Sequence, residues 1–238
     1  GAIRWCWDEQ YNSRVPLPCT RNISSVIMQE QLAFFPLQLV VFPGEQLNLH
    51  IFEPRYRQLV ADAETEGITF GVPTVINGEI RPVATEVRLE EVSKRYPSGE
   101  SDVKTRGERV FSILSFEPKL EKKLYAGGDI VFQEIETEEN LELNEEIVVM
   151  VREIYKKLNV GKTITDAHEG FRTYDIAHYI GFTVEQEYEF LTLFLSRDRQ
   201  HFMLDHLRRI RPNISKRLDI QARARMNGHF KHLRPPEF

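Results

Sequence analysis

Cysteine is scarce in this 238-residue chain, with Cys6 and Cys19 as its two copies. Their spacing matches no zinc pattern and no second pair follows, so neither a disulfide framework nor a zinc site is predicted. Long apolar runs are also missing, because Pro36, Gln38 and Pro43 interrupt the most apolar stretch, and no transmembrane helix is expected. The N-terminus lacks the basic and apolar segments of a secretory signal. Together with the few cysteines, this leads us to expect a cytoplasmic protein.

Catalytic motifs are missing as well. No GxSxG is present, so a nucleophilic serine is not predicted. The tripeptide 161–163, Gly-Lys-Thr, matches the end of a phosphate-binding loop, but Lys156 stands where that loop needs its first glycine, and the segment follows a predicted helix instead of a strand. We therefore interpret it as a loop between helices, and predict no catalytic residue and no cofactor.

The histidines do not form a metal-binding pattern. His201 and His206 are five residues apart, whereas two imidazoles on one helix need a spacing of four to reach the same ion. His50, His168 and His178 fall on separate predicted elements. No metal site is predicted, and these side chains are expected to serve packing or the surface.

Charge is distributed unevenly along the chain, although the net charge is only -5. Seven glutamates and no basic residue lie in 134–146, whereas 197–238 holds eleven Lys and Arg against four Asp and Glu. A basic tract can mark a nucleic-acid surface. Here it is spread through amphipathic helices without aromatic stacking residues, so solvated helix faces, or segments that neutralise each other, are the favoured interpretation.

The segment 35–60 contains the clearest local pattern. Alternating apolar residues at 37–41 and 47–51, separated by Pro43-Gly44, predict a β-hairpin. Glu53-Pro54 then begins a helix that runs to about Thr65, because proline suits the first helical position. We expect the motif Glu53, Pro54, Arg55 and Tyr56 to have a structural role. Glu53 is expected to accept hydrogen bonds from the helix N–H groups, and Arg55 and Tyr56 to connect the helix to neighbouring strands.

Further strands and then helices follow. Asn77-Gly78 between apolar pairs predicts a tight hairpin, and later strands are predicted at 85–94, 103–116 and 124–135, with a bulge at Gly107. From about residue 138 the spacing of apolar residues changes to three and four, which predicts helices. Two are predicted over 141–158 and 174–180. Two more are predicted to begin after the N-cap residues Thr183 and Ser196. The last helix should end at Asn227-Gly228. An α+β fold with a boundary near residue 137 is predicted.

Three motifs in order resemble the N-terminal substrate-binding domain of Lon proteases, in its stand-alone bacterial form: FPL–LVVFPGE–L–L–IFEPRY at 35–56, ITFGVP at 68–73, and DVKTRGERVFSIL at 102–114. The resemblance implies a PUA-like pseudo-barrel at 28–137 and a helical bundle at 138–238. Residues 1–27 are then expected to be a non-native or disordered extension, because Met28 stands where a chain of this family would begin.

The same resemblance implies a non-catalytic protein that binds unfolded or peptide clients, with a protease as a further partner. We expect a groove near the junction of the two subdomains, and name Phe35, Phe42, Phe70 and Phe116 as candidate peptide-binding residues. Aromatic residues on alternating strands more often belong to the core, which is the competing interpretation. The rival functions are a nucleic-acid-binding PUA-like module and a small-ligand sensor.

Overall fold

The computed structural model describes residues 5–8, 13–16 and 30–211. The strands are β1 (Trp5–Asp8), β2 (Ser13–Pro16), β3 (Glu30–Phe34), β4 (Gln46–Ile51), β5 (Phe70–Ile76), β6 (Glu79–Arg95), β7 (Ser101–Ile113) and β8 (Ala126–Phe132). The α-helices are α1 (Pro54–Glu66), α2 (Leu141–Leu158), α3 (Val184–Leu191) and α4 (Ser196–Ile210). Short 3-10 turns lie at Ala167–Glu169, Thr173–Asp175 and Ala177–Tyr179. The helix expected to end at Asn227-Gly228 lies outside the described residues.

Strands β1 and β2 pair as an antiparallel hairpin. The six later strands form one sheet in the order β4-β7-β6-β5-β3-β8, and a further pairing of β7 with β8 closes five of them into a ring. Strand β4 extends the sheet from β7. The predicted Asn77-Gly78 hairpin is confirmed, since it joins β5 to β6 and both residues have positive φ, 55° and 78°.

The predicted hairpin between 37–41 and 47–51 is wrong. Strand β4 forms, but it pairs with β7, and the segment from Gln38 to Phe42 is irregular. The reason is burial on both sides: Val40 and Phe42 pack into the core of the helical half, whereas Val41 packs into the core of the β half. The alternating apolar residues here therefore belong to a segment that lies between two cores. They do not form the buried face of a strand.

The buried apolar residues form two main cores, and the predicted boundary near residue 137 stays a prediction because Val40, Phe42 and Val110 belong to the core of the helical half. Helix α1 packs through Tyr56, Leu59 and Val60 onto the β half. Helices α2, α3 and α4 form the second core together with the 3-10 turns, and Val110 of β7 reaches into it. The mixed α+β architecture predicted from sequence is confirmed.

Details of the helical half depart from the sequence prediction. The helix expected at 174–180 is replaced by two 3-10 turns. Thr183 caps α3 as predicted, in a capping box with Gln186. Ser196, expected to cap α4, is instead its first residue, and its hydroxyl donates to the carboxylate of Glu136, 2.9 Å away. This contact ties α4 to the segment that joins β8 to α2.

Candidate binding groove at the junction of the two halves

The four predicted phenylalanines are not brought together. Phe35 and Phe70 are buried in the core of the β half, with 6.4 Å between their ring centroids. Phe42 is buried in the other core, 5.5 Å from the ring of Tyr174. Phe116 is partly exposed and stacks on a third, smaller cluster. A shared peptide-binding surface made of these four residues stays a prediction, and the structure places three of them where they pack the fold.

The Glu53 to Tyr56 motif begins α1, with Pro54 in the first turn. The Glu53 side chain makes no cap hydrogen bond, contrary to expectation; its backbone carbonyl accepts from Tyr56 N and Arg57 N, and its carboxylate accepts from Arg55 Nε at 2.9 Å. The ring of Tyr56 stacks on Phe35 at 3.9 Å between centroids, and burial raises its pKa. Of these side chains, Tyr56 fixes the helix on the sheet.

The tripeptide at 161–163 lies in an irregular segment after α2, in agreement with its interpretation as a loop. Lys162 Nζ lies 3.9 Å from the centroid of the Tyr179 ring. Burial lowers the pKa of Lys162. Among the residues that the structure describes, no group of three or more His, Cys, Asp or Glu side chains is arranged to hold a metal ion.

His178 occupies a position that the sequence did not indicate. Its Nε2 lies 2.8 Å from Glu45 of the β half, and its Nδ1 lies 3.0 Å from Glu187 on α3. Burial alone would lower the pKa of His178, but the two carboxylates outweigh it and raise the pKa to about 9. The imidazolium thus joins the two halves beside Phe42, whose ring centroid is 4.7 Å away.

A groove lies next to this junction and encloses about 250 Å³. It is formed where β7, the segment between β8 and α2, the 3-10 turn at Thr173–Asp175, and α4 meet. Its apolar part includes Pro43, Val110 and Ile135. The remaining lining residues are Glu108, Arg109, Gln133, Thr137, Glu139, Arg172, Tyr174 and Arg199.

Two arginines of the groove are half-exposed and paired with carboxylates. Arg109 bonds Glu86 through Nε and Nη2, at 2.7 and 3.1 Å, and Glu86 raises the pKa of Arg109. The Arg109 guanidinium also lies 3.5 Å from the centroid of Phe132. Arg172 bonds Asp175 at 2.7 Å. Both charges are therefore neutralised locally at the groove wall.

Arg199 is different, because it is 1% exposed and bonds no carboxylate among the described residues. Its Nη1 donates to Leu193 O and Phe194 O, at 2.9 and 3.1 Å, and its Nη2 donates to Glu136 O. Its Nε has no partner within the described part of the chain. The guanidinium carbon lies 4.7 Å from the centroid of the Tyr174 ring. Arg199 therefore holds the segment after α3 and the segment before α2 together.

The buried hydroxyl of Tyr174 also has no hydrogen-bond partner among the described residues. Burial raises the pKa of Tyr174 to about 12, with Arg199 acting against that shift and Glu139 adding to it. Glu139 itself accepts from Thr173 N, at 3.1 and 3.2 Å, and from the Thr173 hydroxyl. The groove thus combines an apolar part with two buried donors that have no acceptor among the residues described by the structure.

The sequence contained one signal for this site that pattern reasoning missed. Arg199 is buried together with Met203, Leu207 and Ile210, so it occupies a core-facing position of an amphipathic helix. A charged residue at such a position needs buried partners, and this marks it as unusual. Nothing comparable marks Tyr174, whose helical spacing resembles that of any core aromatic residue.

Comparison with protein-family models identifies one family. The family model described as "ATP-dependent protease La (LON) substrate-binding domain" matches residues 31–222. The fold is similar to a Lon N-terminal domain protein from Xanthomonas campestris, with a TM-score of 0.58 and 22% identity, covering 74% of this chain and 98% of that one. It is also similar to the N-terminal domain of Mycobacterium avium complex Lon protease, with a TM-score of 0.59 and 13% identity, covering 75% and 98%.

Among the curated proteins compared with this chain, none matches it. Within the part of the chain that the structure describes, no helix combines the length and apolar content required to cross a bilayer.

Proposed function

Because the chain belongs to the ATP-dependent protease La (LON) substrate-binding domain family, we propose that it is a non-catalytic cytoplasmic module that binds exposed apolar segments of client proteins. The observation that carries this proposal is the groove at the junction of the two halves. It presents Pro43, Val110 and Ile135 beside the polar groups of Tyr174 and Arg199. Largely apolar concave sites with a few fixed polar groups are typical of ligand binding.

The size of the groove favours a short contact. A volume of about 250 Å³ lies slightly below the range of roughly 300–1,000 Å³ that is common for ligand pockets. It accommodates one or two apolar side chains of an extended segment, and not a whole amphipathic helix. One such contact gives weak binding, since association must first offset the loss of translational and side-chain freedom. Weak capture suits a module that hands its client to a protease, the partner that we propose.

Substitution at the mouth of the groove tests the proposal. Thr137 is exposed and lines the groove, so Thr137→Trp should fill it without disturbing either core. The matched control is Thr65→Trp, because Thr65 is exposed near the end of α1 and does not line the groove. Fluorescence anisotropy with a labelled, permanently unfolded protein should show weaker binding for Thr137→Trp and wild-type binding for Thr65→Trp.

The outcomes separate two parts of the proposal. Equal binding by both variants would place the client elsewhere on the surface. A wild-type protein that binds no unfolded protein or apolar peptide would overturn the proposed function itself.

A further inference from the structure

Two contacting side chains at the junction groove each carry a buried donor for which the described residues offer no acceptor. The Tyr174 hydroxyl and Arg199 Nε both lack a hydrogen-bond partner in the described part of the chain, and both residues line the groove. The two side chains are in contact, with the guanidinium carbon 4.7 Å from the tyrosine ring centroid. Buried polar groups are nearly always hydrogen-bonded. The described residues contain five exceptions, and Arg57 Nε, Thr74 Oγ1 and Arg81 Nε are the other three. Tyr174 and Arg199 are the two that line the groove, and their contact requires an explanation.

Other tyrosines of this protein show that the exception is local. The hydroxyl of Tyr155 donates to Tyr179 O at 2.8 Å, and that of Tyr125 donates to Asp62 at 2.7 Å. The hydroxyl of Tyr96 donates to Asp102, and that of Tyr188 accepts from Val83 N. These four hydroxyls therefore have hydrogen-bond partners. The Tyr174 hydroxyl has none among the described residues.

The charges around the pair favour a neutral acceptor. Glu139 lines the groove, and its charge raises the pKa of Tyr174. On the other side, hydrogen bonds from Ser196, with a contribution from Arg199, lower the pKa of Glu136. Two carboxylates thus already balance the single charge of Arg199. A third carboxylate, from a ligand, would be repelled, whereas a carbonyl oxygen accepts both hydrogen bonds without adding charge.

We propose that the Tyr174 hydroxyl and Arg199 Nε donate to a main-chain carbonyl oxygen of a bound client segment, whose neighbouring apolar side chain contacts Val110 and Ile135. This inference rests on the proposed function and names the groups that perform it. A main-chain carbonyl is present in every peptide, so the anchor accepts many sequences, while the apolar part of the groove supplies the preference for apolar side chains.

A ligand can reach the buried donors because the groove wall is adjustable. Arg109 and Arg172 line the groove, and their side chains are 55% and 49% exposed. The Arg172–Asp175 pair is exposed on both sides and contributes little to stability, so Arg172 can move aside at small cost. Arg109 stays in place, because its partner Glu86 is only 1% exposed and would be left unpaired. The deeper groups, Arg199 above all, stay fixed by their backbone partners.

The test is Tyr174→Phe in the full chain, which removes the hydroxyl and keeps the ring. The probe is a short labelled peptide of leucine, phenylalanine and serine, with an acetylated N-terminus and a carboxamide C-terminus. Loss of one hydrogen bond should weaken its binding on the order of three- to tenfold. The melting temperature should stay the same or rise, because the lost hydroxyl has no partner in the part of the chain that the structure describes.

The matched control is Tyr155→Phe, which removes a hydroxyl that is hydrogen-bonded within the helical core. It should lower the melting temperature and leave peptide binding unchanged. A purely structural role of Tyr174 would produce the same pattern as this control, so the two variants distinguish anchoring from packing.

Three results would overturn the proposal. In the first, Tyr174→Phe binds the peptide with wild-type affinity while Thr137→Trp binds it more weakly. The groove would then bind clients without the Tyr174 hydroxyl, and a bound water would be the hydrogen-bond partner of that hydroxyl. Binding that requires a free C-terminal carboxylate, and is lost with the carboxamide, would show that the acceptor is charged. In the third, the wild-type chain binds neither the carboxamide peptide nor the same peptide with a free carboxylate. The proposed function then fails together with the anchor, and this outcome is distinct from the first two.

Discussion

The carboxylate of Glu45 and the imidazole of His178 lie 2.8 Å apart, although 133 residues separate them in the chain. Glu45 follows the Pro43-Gly44 turn of the β half, and His178 lies in a 3-10 turn of the helical half. Glu187 completes the arrangement from α3. Because a buried charge is tolerated only when it is paired, the three groups must assemble together when the two halves pack.

Replacement of His178 should therefore destabilise the whole protein. His178→Leu would remove the cation between Glu187, which is buried, and Glu45, whose side chain is 19% exposed. We expect a loss of roughly 3 kcal/mol in the free energy of unfolding. Urea denaturation measures it. His201→Leu is the control, because His201 is exposed on α4 and should cost little. Equal stability of the two variants would show that the contact across the junction contributes nothing.

The same histidine predicts a loss of stability at alkaline pH. Its folded pKa of about 9 lies above its ordinary value of 6.5, so the folded state holds the proton more tightly than the unfolded state. The stabilisation is complete below about pH 6.5 and is lost as the pH rises through 9. Melting temperatures from pH 6 to pH 10 should fall in the wild type. The fall should be smaller in His178→Leu, and a parallel decline in both proteins would contradict the assignment.

Gly107 should tolerate no side chain, for a reason of space. A Cβ at this position would clash with the carbonyl oxygen of Phe42, and backbone hydrogen bonds to Gly44 and Glu45 hold Gly107 in place. Gly107→Ala should cost on the order of 1–3 kcal/mol, as overpacking does. Gly161→Ala is the control, because no atom lies within 4 Å of its added Cβ. Equal melting temperatures would show that the turn and β7 separate easily.

Local features of the fold could be predicted from sequence. The apolar spacing over 141–158 gave the correct bounds of α2, Pro54 marked the start of α1, and Asn77-Gly78 identified its hairpin. Each of these depends on residues close together in the chain. The pairing of β4 with β7 could not be obtained in this way, because the 37–42 segment is buried on both sides and has no polar face to indicate its partner.

For the candidate groove, the sequence supported only an expectation of its location, which stays a prediction. A groove near the junction was expected, but its lining comes from five separated segments, and Tyr174 lies in a 3-10 turn where a helix was predicted. The phenylalanines selected from their strands were chosen for aromatic character, which equally suits a core. What marks the groove among the described residues is that two contacting side chains, Tyr174 and Arg199, each carry a buried polar atom without a partner. This arrangement depends on tertiary packing that no local pattern encodes.

The last prediction concerns the forces that bind clients. Apolar contacts and a neutral carbonyl hydrogen bond are barely screened, so affinity for the unfolded-protein probe should change little between low and high salt. Binding through the basic residues of 197–238 would instead release counterions from a nucleic acid and weaken steeply as salt is added. Parallel anisotropy titrations with the unfolded protein and with single-stranded RNA, each at two salt concentrations, measure both. Salt-sensitive RNA binding without detectable peptide binding would favour the nucleic-acid alternative, because only phosphate contacts produce that combination.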